Sequence, residues 1–131
     1  MREILFRGKR KDGGIWLCGD LRQWSDTRKG ILDYSLRGTS EVAHETIGQF
    51  TGLSDKNGTK IFEGDIVDVD IGYLKRRGVV FYEESATRFG LEMKGGEEKN
   101  FSFLGRQMVK MYNVTVIGNI HDNPELLEVG A

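Results

Sequence analysis

The run Asp65-Ile66-Val67-Asp68-Val69-Asp70-Ile71 sets three aspartates against apolar neighbours, the period of a strand wet on one face and buried on the other. Similar apolar runs recur at Ile47 to Leu53, Gly78 to Tyr82, Phe89 to Met93 and Tyr112 to Ile120, separated by segments rich in glycine, asparagine or charge. Five short strands in the last eighty or so residues predict a small β barrel. Eighteen glycines, most of them between strand candidates, fit the turns and bulges that such a barrel needs.

Ahead of this region, Ile4 and Phe6 alternate on one side of Lys11-Asp12-Gly13-Gly14, and Ile15 and Leu17 on the other, the pattern of a hairpin. From Gln23 to Glu45 the spacing of Trp24, Ile31, Leu32, Tyr34 and Leu36 is irregular, which reads as loops with one or two short strands. Pro124-Glu125-Leu126-Leu127-Glu128 predicts a short helical turn, with Asn123 as its cap and the only proline at its first position. The expected division is residues 1–47, a hairpin plus irregular segment, packed on a barrel of residues 48–131. No proline-rich linker, repeat or low-complexity tract separates the two.

At 131 residues the chain can bury an adequate core without a staple. Its 19 basic and 20 acidic side chains nearly cancel, which excludes both a highly basic coat and an acidic nucleic-acid mimic. A single cysteine, Cys18, excludes an intramolecular disulfide and paired-cysteine zinc. The opening residues hold only three consecutive apolar side chains, Ile4, Leu5 being joined by Phe6, far short of a signal or spanning segment. A cytosolic location and no membrane partner are the expectation.

Chemistry-bearing patterns are sparse. Asp55, Asn57 and Gly58 match three positions of a calcium loop, but Leu53 and Gly64 stand where its first and twelfth ligands belong. A hairpin turn with Asn57-Gly58 at its tip is the better reading. Asp68 and Asp70 share a strand face that Asp65 does not, which favours a solvated face over a metal site. Cys18, His44 and His121 form no local nucleophile and base set, and the glycines of Gly8-Lys9-Arg10 and Gly105-Arg106 cradle no phosphate. No catalytic residue, metal or cofactor is therefore expected, and Cys18 reads as a small core residue.

Tyr73-Leu74-Lys75-Arg76-Arg77-Gly78 is the one concentrated basic run, expected on a loop between two strands. With Tyr82 it supplies the candidate binding residues: Tyr73, Lys75, Arg76, Arg77 and Tyr82. Aromatics beside cations suit a protein partner or, as the alternative, nucleic acid. Uncovered edge strands add self-association as a further expectation.

Three segments resemble the YopX family of phage and prophage proteins. They are Arg2-Glu3-Ile4-Leu5-Phe6-Arg7-Gly8-Lys9, the central block from Gly48-Gln49-Phe50-Thr51-Gly52-Leu53-Ser54-Asp55-Lys56-Asn57-Gly58 to Phe62-Glu63-Gly64-Asp65-Ile66-Val67, and the terminal Val116-Ile117-Gly118-Asn119-Ile120-His121-Asp122-Asn123-Pro124-Glu125-Leu126-Leu127. The resemblance implies a mainly β protein with an SH3-like C-terminal barrel, encoded by a bacterial virus or its integrated remnant. It implies no catalytic residue. Asp55, Glu63 and Asp65 would then be turn and barrel-closing positions, and the partner an unidentified host or phage macromolecule.

Overall fold

The computed structural model describes residues 2–36, 38–94 and 100–128, with backbone only for 100–103. The architecture is mainly β: the described residues form eleven strands, one six-residue helix and two 3₁₀ turns. Two compact units emerge, Met1–Gly52 and Leu53–Ala131.

In the first unit, β1 (Phe6–Lys9), β2 (Trp16–Gln23), β3 (Lys29–Asp33), β4 (Gly38–Val42) and β5 (Gly48–Ser54) are ordered β4-β3-β2-β1-β5, with a 3₁₀ turn at His44–Thr46 before β5. The expected opening hairpin is present, its register placing Gly8 opposite Leu17. The irregular stretch resolves into two short strands, β3 and β4, because Ile31 pairs with Leu21 and with Ser40. Leu17, Ile31 and Val42 form the core, packed with Phe6, Leu21 and Ile47. A bridge between Arg10 and Val42, and the bond from Ala43 N–H to Lys9 O (2.8 Å), bring the outer strand β4 back to the end of β1.

Cys18 lies on the side of β2 away from this core and is exposed, so the core placement expected for it is wrong. Its neighbours Leu17 and Gly19 take the buried positions, and alternation turns Cys18 outward.

In the second unit, β6 (Lys60–Phe62) follows the end of β5 through a tight turn. It is followed by β7 (Asp65–Asp70), β8 (Lys75–Glu83), β9 (Arg88–Lys94), β10 (Asn100–Phe103), the helix α1 (Arg106–Met111) and β11 (Asn113–Asn119). The five-stranded sheet runs β10-β9-β8-β7-β11, antiparallel throughout. The expected helical turn is a 3₁₀ turn at Pro124–Leu127; Asn123 precedes it but accepts from Asn119 N–H (3.2 Å) instead of capping it.

Ile61, Val67, Val69, Val80, Leu91, Leu104 and Val114 make up the core of this unit. Alternation along β7 works as expected: Val67 and Val69 point inward, while Asp68 and Asp70 line the other face. Asp65 is buried at 1% exposure, where Oδ2 accepts the N–H of Phe62 at 2.7 Å. No ladder among the described residues joins β10 to β11, so the sheet is open: the mainly β, antiparallel part of the sequence reading is present, and a closed barrel is not.

The basic run departs from expectation. Lys75, Arg76 and Arg77 are not on a loop but open strand β8, paired in register with Asp70, Val69 and Asp68. Arg77 meets the Asp68 carboxylate directly across the pair at 3.0 Å, a cross-strand ion pair that supports this end of the strand.

Candidate functional site

The candidate site lies at the end of the second sheet where β7 turns into β8. Asp70 is the register partner of both Lys75 on β8 and Asn113 on β11. The segments flanking these residues, Ile71 to Leu74 and Met111-Tyr112, therefore leave the sheet at the same end, about 5 Å apart per strand. The turn is short and held locally: Gly72 N–H donates to Asp70 Oδ1 (2.9 Å) and Ile71 N–H to Leu74 O (2.9 Å). With its backbone so engaged, the turn pushes Tyr73 outward to 90% exposure, with Leu74 beside it at 46%. On the other segment Met111 is 70% exposed and Tyr112 37%. Lys75 and Lys110 are exposed too. Two phenol rings, a thioether, an isobutyl group and two ammonium groups thus share one end of the sheet.

Of the five residues singled out from sequence, the fold gathers only some. Tyr73 and Lys75 stand at this end on adjoining positions. Arg76 opposes Val69, on the core-facing side of β8, and is half-buried at the sheet's end. Arg77 is occupied: Nε donates to Asp68 Oδ1 (3.0 Å) and Nη1 to Leu126 O (3.0 Å), tying the C-terminal 3₁₀ turn to the sheet. Tyr82 is seven positions beyond Lys75 on an extended strand, about 23 Å away. It packs edge-on against Phe89, ring centroids 5.3 Å apart, on the opposite face from Lys75 and Arg77. Met111, Tyr112 and Lys110 were missed by the sequence reading, since only the β7–β11 pairing brings them to Tyr73.

Beside this end, on the outer face of the sheet, lies a hollow of about 150 Å³ lined by Lys56, Asp68, Asp70, Lys75, Asn113, Thr115 and Ile117. Lys56 reaches it from the turn between β5 and β6. Asp55 shapes that turn: Oδ1 accepts the N–H groups of Asn57 and Thr59 (both 2.9 Å), while Oδ2 accepts Val116 N–H of β11 (2.9 Å). Gly58 follows at φ +84°, a conformation that favours glycine. The segment resembling a calcium loop is thus a hairpin turn whose aspartate is used up on backbone donors. Lys56 N–H completes the junction by donating to Val114 O at 3.2 Å. Among the described residues no group of three histidines, cysteines or carboxylates is placed to hold a metal ion.

The remaining chemistry-bearing residues lie elsewhere. Within the first unit, His44 Nδ1 is 2.8 Å from Lys29 Nζ, and Cys18 N–H donates to Asp33 Oδ2 at 3.3 Å. In the second, His121 N–H donates to Asn119 Oδ1 (3.0 Å) in the turn after β11. No helix among the described residues is long and apolar enough to cross a membrane.

Comparison with known proteins places this geometry in a family. No curated protein matches the sequence. A crystal structure, that of protein EF1440 from Enterococcus faecalis, is similar with a TM-score of 0.57 and 25% identity, covering 98% of this chain and 100% of that one. The model of the family described as YopX protein matches residues 5–128. With nearly its whole length so matched, the chain belongs to the YopX family.

Proposed function

We propose that this protein is a non-catalytic binding module that contacts a macromolecule through the end of the second sheet carrying Tyr73, Leu74, Lys75, Met111 and Tyr112. The observation that carries this reading is Tyr73, a large ring at 90% exposure on a hydrogen-bonded turn between apolar and cationic neighbours. What this end presents are recognition groups: rings and a thioether supply contact area, and ammonium groups supply charge complementarity. In the setting that the family resemblance implies, the cytosol of a bacterium carrying a phage or prophage, the partner is a host or phage macromolecule. The SH3-like description is part of the same proposal. It is supported by the antiparallel order of the second sheet and by the Asp55-Lys56 turn covering the outer edge of β11.

Nucleic acid is the alternative partner, favoured by Tyr73 and Tyr112 standing at the same end as Lys75 and Lys110. Self-association is an additional proposal, tested by light scattering at two concentrations. The deciding experiment captures partners from bacterial lysate with the tagged protein and with its Tyr73→Ala/Lys75→Ala/Tyr112→Ala variant, with and without nuclease. A nuclease-resistant protein lost with the variant supports the main reading, and a nuclease-sensitive ligand lost with it supports the alternative. Partners captured equally by both proteins would overturn the site.

A further inference from the structure

We propose that Met111 is a site of reversible oxidation by hydrogen peroxide, and that its sulfoxide switches off binding at the end of the second sheet. Three of the four methionines lie among the described residues, and the fold treats them differently. Met93 and Met108 pack against the core of the second unit. The sulfur of Met93 rests against β8, where a Cβ on Gly78 would meet it at 3.0 Å. Met111 is the last residue of α1 and stands at 70% exposure, outside that core. Peroxide therefore reaches one of these sulfurs freely and the other two only by disturbing the packing, and thioether oxidation follows access.

The chemistry needs no catalyst. The sulfur of Met111 gives an electron pair to one peroxide oxygen, an S–O bond forms as the O–O bond breaks, and the departing hydroxide takes the remaining proton and leaves as water. Sulfur is oxidised, peroxide is reduced, and methionine sulfoxide reductases reverse the change. An apolar thioether thus becomes a polar hydrogen-bond acceptor. The end of α1 is held by other groups: Tyr112 N–H donates to Met108 O (3.0 Å), backbone to backbone, and the helix has no fully buried side chain. The fold should survive the change. The contact surface should not, because Met111 shares its end of the sheet with Tyr73, Leu74 and Tyr112 through the pairing of Asp70 with Asn113 and Lys75. A sulfoxide pressed into an apolar contact loses water without gaining a partner. This second step rests on the binding function proposed for this end; the selective oxidation does not.

The test treats the full chain with dilute hydrogen peroxide, in its Cys18→Ser variant so that the exposed thiol does not compete, and locates the added oxygen by peptide mass spectrometry. Met111 should be oxidised about fivefold faster than Met93 or Met108, with an unchanged urea midpoint, and incubation with the two methionine sulfoxide reductases should restore the thioether. Oxidation of Met93 or Met108 at an equal rate, or a midpoint that falls once Met111 alone is oxidised, would overturn the site. A partly oxidised preparation is then mixed with bacterial lysate, and chain carrying a partner that Tyr73→Ala loses is separated by size from free chain. Sulfoxide at Met111 should be about tenfold rarer in the loaded fraction. Equal sulfoxide in the two fractions would overturn the switch and leave the binding function in place. Absence of any partner that depends on Tyr73 would overturn the binding function and the switch with it, while the oxidation of Met111 would stand.

Discussion

The Asp55 carboxylate accepts the backbone N–H of Val116, sixty-one residues away, at 2.9 Å while its other oxygen closes the turn to Asn57 and Thr59. One side chain at 7% exposure therefore fastens the β5–β6 hairpin to the outer edge of β11. It also holds Lys56 beside the hollow. Replacing it leaves three N–H groups without their acceptor in a setting with little water.

Asp55→Ala should accordingly cost about 3 kcal/mol, since hydrogen bonds to a charged acceptor and the penalty for stranded donors act together. Asp55→Asn should fall between, because the amide offers one acceptor oxygen and cannot serve both the turn and β11. Urea denaturation of the three proteins checks this, and an Asp55→Ala midpoint equal to that of wild type would show that the bridge contributes nothing.

Arg77 offers a contrast with the cation two positions before it. It is mostly buried between Asp68 and the carbonyl of Leu126, so Arg77→Ala should lower stability by about 1 kcal/mol and increase hydrogen exchange through Pro124–Leu127. Arg77→Lys should recover little, because a single ammonium does not reproduce a fork that reaches two acceptors. Lys75→Ala should leave both measurements unchanged. Protection of the C-terminal turn that is the same in Arg77→Ala as in wild type would show that the Leu126 contact does not hold it.

In the first unit, Glu41 gathers Arg28 (2.9 Å) and Lys11 (2.9 Å). The Arg28 hydrogen bond first, and then that from Lys11, pull its carboxyl down to about 2 from the ordinary 4.5. A folded-state pKa below the unfolded one gives stability that is fully present above about pH 4.5 and is lost as pH falls towards 2. The stability gap between wild type and Glu41→Gln should be constant at neutral pH, shrink across that window, and be smaller in high salt. A gap that does not change between pH 6 and pH 2.5 would detach it from the titration of Glu41.

Gly30 on β3 lies close to the Trp24 ring. A Cβ there would sit 2.9 Å from Trp24 Cη2, from Thr39 Cγ2 and from the backbone oxygen of Ser40. Arg28 lies over the same ring, its guanidinium carbon 5.6 Å from the ring centroid. Gly30→Ala should displace the ring and cost about 2 kcal/mol by overpacking. In a Trp16→Phe background, which leaves Trp24 as the only tryptophan, its emission should move to the red. Unaltered emission and stability would mean that the ring has room to move.

Much of the fold was legible because alternation reports directly on burial. Val67 and Val69 faced the core, and Asp68 and Asp70 faced out, as their spacing required. The failures have particular causes. Helix α1 has six residues, no fully buried side chain and no side-chain cap at Gly105, so neither an apolar period nor a start signal marks it. Lys75 to Arg77 read as a loop because their partner strand β7, and the Asp68 carboxylate that Arg77 meets, are visible only once register is known. The candidate site suffered the same way: Tyr73 and Lys75 were evident from the run itself, but Met111 and Tyr112 join them through the pairing of Asn113 with Asp70.

Tyr73 and Tyr82 provide the sharpest test of where partners bind, since sequence groups them and the fold separates them. Tyr82 packs on Phe89 and is 39% exposed, so Tyr82→Ala should cost some stability, about 1 kcal/mol, without weakening partner binding. Tyr73 makes no ring contact among the described residues and stands at 90% exposure, so Tyr73→Ala should leave stability within about 0.5 kcal/mol of wild type and reduce binding about tenfold or more, as removal of an interfacial aromatic does. The two substitutions thus exchange roles between a thermal melt and a binding isotherm for the captured partner. Equal loss of binding in both variants would move the contact surface along β8, away from the turn, because only a surface running the length of that strand reaches both rings.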